Sequence, residues 1–230
     1  IVEYVINKPW EKQIQINSTM IFDAFYNKGI FGGEFFENLL SGLFFNAKLS
    51  RNITFKELYN FSNIKLNIFT TNLTEFKLKI LNYKTTPDLK ILEGIHMSCA
   101  IPFIFKPVIK NSIVYVDGGI INPYPANICF KDGLTESDTL CINITDKDPV
   151  ILDEKSSILY YAFYLIFKLI SINYDHKIID KKIENEITIF TDKTSLNNIK
   201  SIISDKKTRK KMIDEGINIS KSFLTTKQTQ

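Results

Sequence analysis

Apolar positions along the chain change their period several times, and each change marks an element. In residues 33–45 they recur at Phe35, Phe36, Leu39, Leu40 and Phe44, the spacing of one helical face. Thr54, followed three residues later by Glu57, is a capping-box signature for the start of a short helix. Residues 65–73 then read as a strand. So do residues 75–81, where Phe76, Leu78 and Ile80 alternate with Lys77 and Lys79, and one wet face places that strand near a sheet edge. Pro87-Asp88 opens a further helix with Ile91, Leu92 and Ile95 along its buried side. Residues 104–109 and 113–116 form a strand pair across a turn at Lys110-Asn111-Ser112. Residues 139–144 and 186–190 are two more strands, and 205–224 form a basic C-terminal helix with Gly216 as its weak point.

Three stretches carry a different pattern. Residues 1–16 have apolar positions without a clean period, and 17–26 read as a strand or loop ending at Asn27-Lys28-Gly29. Residues 156–172 are apolar nearly all round, broken only by Lys168, and are shorter than the roughly 20 residues of a membrane span. They predict a buried core helix. Strands and helices alternate with no internal repeat and no low-complexity linker, so one α/β domain over residues 1–230 is expected.

Composition agrees with that picture. With 44% hydrophobic and 23% charged residues the chain is neither disordered nor fibrous. The net charge of +4 is modest, and its one basic cluster is Lys206-Lys207-Thr208-Arg209-Lys210-Lys211. No aromatic residues interleave with that cluster, which argues against a nucleic-acid partner and leaves a solvated helix face or an anionic lipid contact. Cys99, Cys129 and Cys141 are odd in number, lack metal-ligand spacing and lie in apolar neighbourhoods, as expected of buried thiols in a reducing, intracellular setting. The Asn-x-Thr matches at 52–54, 72–74 and 143–145 are ascribed to the abundance of Asn. Residues from Ile1 onward already resemble the interior of a domain, so no targeting segment can be read here.

The candidate chemistry lies at Val114-Tyr115-Val116-Asp117-Gly118-Gly119 and continues to Asn122-Pro123-Tyr124-Pro125. A buried strand that stops at an acid and two glycines places a carboxylate beyond a strand end, where open α/β sheets bind ligands. The same residues also fit a β-hairpin with an Asp-Gly turn. Other sets are weaker. His96 and Ser98 stand two apart at a helix end, so their side chains diverge, and no Ser-His-Asp triad with Asp117 is expected. His176 reads as a helix-end residue supporting the dipole. Asp146, Asp148 and Asp153 lack the glycine-bearing loop of a calcium site. No metal and no cofactor are expected.

Ser98-Cys99-Ala100-Ile101-Pro102, two β runs, Asp117-Gly118-Gly119 and then Asn122-Pro123-Tyr124-Pro125 together resemble the patatin-like phospholipases, with Thr85-Thr86-Pro87-Asp88 as a further match. The resemblance spans about residues 14–224 and is specific over 98–125. It implies a three-layer α/β/α sandwich and a lipid acyl hydrolase working through a Ser-Asp dyad. Asp117 would be the general base, and Gly118 and Gly119 its motif glycines. The family's nucleophile sits in a Gly-x-Ser-x-Gly elbow behind a Gly-rich oxyanion loop. Here the glycines four apart are Gly29 and Gly33, with Phe31 between them, and no serine of this chain fits the elbow. The resemblance therefore implies an N-terminally truncated domain, inactive by itself, whose missing part carries the nucleophile and whose unpaired edges favour association. Ile101, Phe103 and Phe105 are acyl-pocket candidates, and the implied partners are a lipid or phospholipid ester and a peripheral membrane surface. The other reading is a non-catalytic lipid- or partner-binding module of the same fold.

Overall fold

The computed structural model describes residues 1–131, 133–135, 137–146, 183–191 and 201–228, with positions 154, 156, 158, 160–162, 164–166 and 168. The chain divides into two compact units, one of residues 15–123 and 169–174, the other of 1–14, 124–168 and 175–230. Their helices and strands are mixed in the α/β manner the hydrophobic periodicity predicts.

Helices α1 (Val2–Asn7) and α2 (Trp10–Gln13) belong to the second unit, and the first begins at Gln15. Its own elements are α3 (Ser18–Asn27), β1 (Gly29–Phe31), α4 (Gly33–Asn46), α5 (Phe55–Ser62), β2 (Ile68–Asn72), β3 (Lys77–Leu81), α6 (Ile91–Ser98), β4 (Phe103–Phe105), β5 (Val108–Lys110) and β6 (Ile113–Asp117). Strands β3-β2-β6-β5 make one antiparallel sheet in that order. The alternating strand β3 does lie at its edge, and its lysines face water. The capping box of α5 is also present: Glu57 N–H donates to the Thr54 hydroxyl, and the Glu57 carboxylate accepts from Thr54 N–H at 2.9 Å.

Three expectations need correction. Residues 17–26 are neither strand nor loop: α3 forms because the Asn17 side chain accepts from Met20 N–H at 2.8 Å and caps the first turn. Residues 104–109 are not one strand. Phe103–Phe105 pairs in parallel with β1, from Gly29↔Phe103 to Phe31↔Phe105, whereas Val108–Lys110 joins the four-stranded sheet. Pro107 separates them, and a proline has no N–H for the ladder. Finally, residues 1–16 form two short helices despite their irregular pattern. The turn expected at Lys110-Asn111-Ser112 is present but shorter, Lys110 ending β5 opposite Ile113; Asn111 and Ser112 both have left-handed φ, as a two-residue hairpin loop of primed type requires.

The core of this unit is built from Ile53, Phe55, Leu81, Leu89, Ile91 and Met97. It fastens the start of α5 to the start of α6: Phe55 N–H donates to Leu89 O and Ile91 N–H to Ile53 O, both at 3.0 Å. Helix α6 packs on β2 and β6 and so carries its C-terminal end to the end of β6.

In the second unit α7 (Ala126–Lys131) precedes a parallel pair, β7 (Cys141–Asp146) with β8 (Glu186–Thr191), and α8 (Lys206–Gln228) closes the chain. Ala126, Cys141 and Ile183 form its small core. The Tyr124 hydroxyl donates to Glu186 at 2.6 Å, and burial pushes that phenol upward. Arg209, buried, donates to Ile6 O at 2.9 Å and to Ile202 and Ile203 O at 2.8 and 2.9 Å, so α1 and α8 are joined through one guanidinium. Of the apolar segment 156–172, Ile158, Tyr161 and Leu165 are exposed rather than buried; residues 169–172 lie outside the described residues. Helix α8 runs unbroken through Gly216.

Candidate active site

Strand β6 ends at Asp117, held between two neighbours. Asp117 pairs with Thr70 of β2 in the ladder, and its N–H donates to Ala100 O at 3.1 Å, just beyond the end of α6. Two fully buried threonines of β2 complete the support. The Thr70 hydroxyl reaches Met97 O at 3.0 Å and Val116 O at 2.8 Å, and the Thr71 hydroxyl donates to Asp117 O at 2.8 Å. Adjacent Thr residues in a strand were the available signal for this bracing, and sequence reasoning did not single them out. A hydroxyl buried without a partner is costly, so each of these bonds fixes where β6 ends.

Past Asp117 the chain does not turn back as a hairpin. Gly118–Ile120 form a 3-10 turn capped by Asp117 itself, whose Oδ1 accepts from Gly119 N–H at 2.7 Å. Gly118 lies so close to β2 that a β-carbon there would stand 2.5 Å from Phe69 O. A β-carbon on Gly119 would meet Asp117 Oδ1 at 2.9 Å. The two glycines therefore act by lacking side chains: one lets the turn cross β2, the other leaves room for the carboxylate. Asn122, also buried, follows with its N–H bonded to Gly118 O.

Asp117 is half-buried, and its Oδ1 bond to Gly119 is its one side-chain hydrogen bond among the described residues. Burial pushes its pKa above the ordinary carboxylate value, and the Gly119 N–H opposes that shift. Among the described residues Oδ2 thus has no hydrogen-bond partner, on a carboxylate more basic than usual. The charge of Asp117 in turn acts on Cys99. Its residue surface is exposed, contrary to the expected burial, yet protein around the sulfur and then the charge of Asp117 push the thiol up to about 11. A thiol so raised is protonated at neutral pH and is a poor nucleophile.

The other candidates sit as follows. His96, in the last turn of α6, sets its ring 5.3 Å from that of Phe36 on α4, with Nε2 2.9 Å from Lys106 O; burial lowers its pKa. Among the described residues it makes no hydrogen bond to Ser98 or Asp117, and no triad is brought together there. Ser98 ends α6, half-buried. Ile101 is half-buried one residue after the carbonyl that binds Asp117 N–H. Phe105 joins Phe31, Phe35 and Phe36 in an aromatic cluster with centroids 4.9–5.9 Å from its own, whereas Phe103 is 48% exposed with a left-handed φ of 70°. Among the described residues no group of three His, Cys, Asp or Glu side chains gathers as a metal site. His176, Asp148 and Asp153 lie outside the described residues.

Comparison with known proteins places these features in a lineage. The chain is 40% identical to the "Probable lipid hydrolase 463L" of Invertebrate iridescent virus 6 over 84 residues, 36% of this chain and 29% of that protein. It is 25% identical to the "Uncharacterized protein R571" of Acanthamoeba polyphaga mimivirus over 182 residues, 74% of this chain and 60% of that protein. The chain thus spans 29% and 60% of the length of these two relatives. The family model "Patatin-like phospholipase" matches residues 10–130, more than half of the 230 residues and inclusive of β6 and its Asp-Gly-Gly turn, so the chain belongs to the patatin-like phospholipase family.

Proposed function

We propose that this chain is the Asp-bearing part of a lipid acyl hydrolase that cleaves phospholipid or neutral-lipid esters through a Ser-Asp dyad. Asp117 is the general base, and the nucleophilic serine comes from a segment outside residues 1–230. The observation that carries this reading is the carboxylate at the end of β6, with one oxygen held by Gly119, the other without a hydrogen-bond partner among the described residues, and its pKa raised by burial.

The chemistry follows from those properties. As the serine Oγ attacks the ester carbonyl, its proton passes to Asp117 Oδ2, and the carbonyl oxygen takes up the negative charge. Collapse of the tetrahedral intermediate breaks the C–O bond, and the departing alcohol takes the proton back from Asp117. Asp117 then accepts a proton from water attacking the acyl-enzyme and returns it to the serine Oγ as the C–Oγ bond breaks, which frees the fatty acid and restores both groups. A carboxylate with a pKa of about 4 is a weak base for a hydroxyl, and a raised value narrows that gap. Most of the barrier is still lowered by backbone amides around the oxyanion, which this reading also assigns outside the chain.

The test uses a chromogenic acyl ester. Purified residues 1–230 should give no turnover, while the longer protein containing a Gly-x-Ser-x-Gly elbow should lose about 10²–10⁴-fold in rate on Asp117→Asn. Turnover by residues 1–230 that disappears on Asp117→Ala would refute the assignment of the nucleophile to another segment. A second reading, a lipid- or partner-binding module without catalysis, is favoured by the lack of any Gly-x-Ser-x-Gly in these residues. An uninterrupted longer protein that lacks the elbow and hydrolyses nothing would establish it.

A further inference from the structure

The outer face of α8 carries a charge pattern that folding does not explain. Lys206, Lys207, Lys210 and Lys211 crowd its first turns, and its first turn holds no acidic residue. Cations there oppose the positive end of the helix dipole. The nearest acid is already committed: Asp205 accepts from Lys207 and Thr208 N–H at 3.0 Å each and from the Thr208 hydroxyl at 2.7 Å. Lys211 pairs with Glu215 at 3.7 Å. Lys206, Lys207, Lys210 and Lys221 make no ion pair among the described residues.

Arg209 fixes which side of this helix faces the protein, since its guanidinium is buried against Ile6, Ile202 and Ile203 carbonyls. Flanking that side, Lys206, Lys210, Ile217, Lys221 and Leu224 follow one another at spacings of four, seven, four and three residues, which is a single helical stripe. All five are exposed, Ile217 by 44% and Leu224 by 60%. Asp214 borders the stripe and leaves it net basic.

We propose that this stripe of α8 docks on an anionic phospholipid surface. Charge complementarity selects the partner's sign, and the two aliphatic side chains in the same row select its kind. Lysine stems lie along an apolar boundary with their ammonium groups at the headgroups, while Ile217 and Leu224 enter the acyl edge. A nucleic-acid surface would instead call for aromatic or arginine side chains among the lysines, and the stripe has neither. This inference stands on charge and exposure and does not depend on Asp117 or on ester chemistry, so hydrolysis and docking can fail separately.

The experiment is density-gradient flotation of the 230-residue chain with phosphatidylserine–phosphatidylcholine vesicles and with pure phosphatidylcholine vesicles, so that chain bound to vesicles rises and self-associated chain does not. Binding is expected to the first and not to the second, and to weaken as salt is raised. Replacing Lys206, Lys210 and Lys221 by Gln should lower partitioning about five-fold per lysine. Reversal of all three to Glu should abolish it, with circular dichroism unchanged. Reversal of the exposed Lys56, Lys65 and Lys77, which alters net charge equally, should leave most of the binding. Ile217→Ser with Leu224→Ser should reduce the part that survives high salt. Equal binding to neutral vesicles, no binding to anionic ones, equal loss on reversing the control lysines, or displacement of the vesicles by a duplex RNA would each overturn the proposal.

Discussion

Asp117 is a residue whose placement opposes stability. Its carboxyl is held above the ordinary pKa chiefly by burial, so the folded chain binds its proton more readily than the unfolded chain does. The sign of the linkage follows: stability falls as pH rises from the unfolded value of about 4 through the raised folded value, because ionisation is then easier in the unfolded chain. Asp117→Asn keeps an oxygen for Gly119 N–H and removes the charge. Its thermal midpoint should therefore exceed the parent's at pH 7, and the gain should vanish at pH values below the ordinary carboxylate range. A gain of equal size at both ends of that range would show that desolvation of the charge is not its origin. That cost is one of the observations that support the base proposed above. Phe103 belongs at the same scale. It follows the Ala100–Pro102 segment tied to Asp117, is 48% exposed and has a backbone angle that bulky residues avoid. If it meets acyl chains, Phe103→Asp in the longer protein should reduce long-chain turnover more than short-chain turnover, measured on a series of esters; equal reductions would remove it from the pocket.

Elements show how far local chemistry reaches. The capping box of α5 needs residues Thr54 and Glu57 alone, three apart, and it is present as the sequence predicts. Thr54→Ala should cost about 1 kcal/mol in urea unfolding, and Thr54→Ser should recover most of it. Helix α3 was equally local in origin, since Asn17 caps it, but its apolar residues mask that signal: Phe22, Phe25 and Tyr26 suggest a strand and are 70%, 81% and 84% exposed. Burial did not make this helix, so a pattern read as burial misassigns it. The division of residues 103–110 between two sheets is of another kind. Phe103–Phe105 pairs with a strand far upstream, β1, and Gly29 is required there because a side chain would collide with the Phe105 backbone. No window around residue 104 contains that partner.

For the whole molecule, the described surface leaves much apolar area in water. Phe22, Phe25, Tyr26 and Phe45 are each at least 70% exposed in the first unit, and in the second Ile142 and Ile144 project from a parallel strand pair. Parallel sheets are ordinarily covered on both faces, and contiguous exposed apolar patches promote association. The isolated 230-residue chain should self-associate in light scattering at micromolar concentration, and Phe22→Glu with Phe25→Glu should shift it toward the monomer. A monodisperse monomer for the parent chain would contradict this.

The sequence by itself determined what depends on neighbours in the chain: the period of α4, the wet face of β3, a turn between β5 and β6, the cap of α5, and the family through its Asp-Gly-Gly turn. Each rests on spacing or on a conformation that few residues adopt. Only the tertiary structure decided that β6 ends against β2 rather than in a hairpin, and that Thr70, Thr71 and the Ala100 carbonyl hold Asp117 in place. It also decided that burial raises the carboxylate's pKa and that one guanidinium joins α1 to α8. Those features arise from contacts between residues far apart in the chain, where desolvation and hydrogen-bond geometry, unlike helical or strand period, leave no local trace.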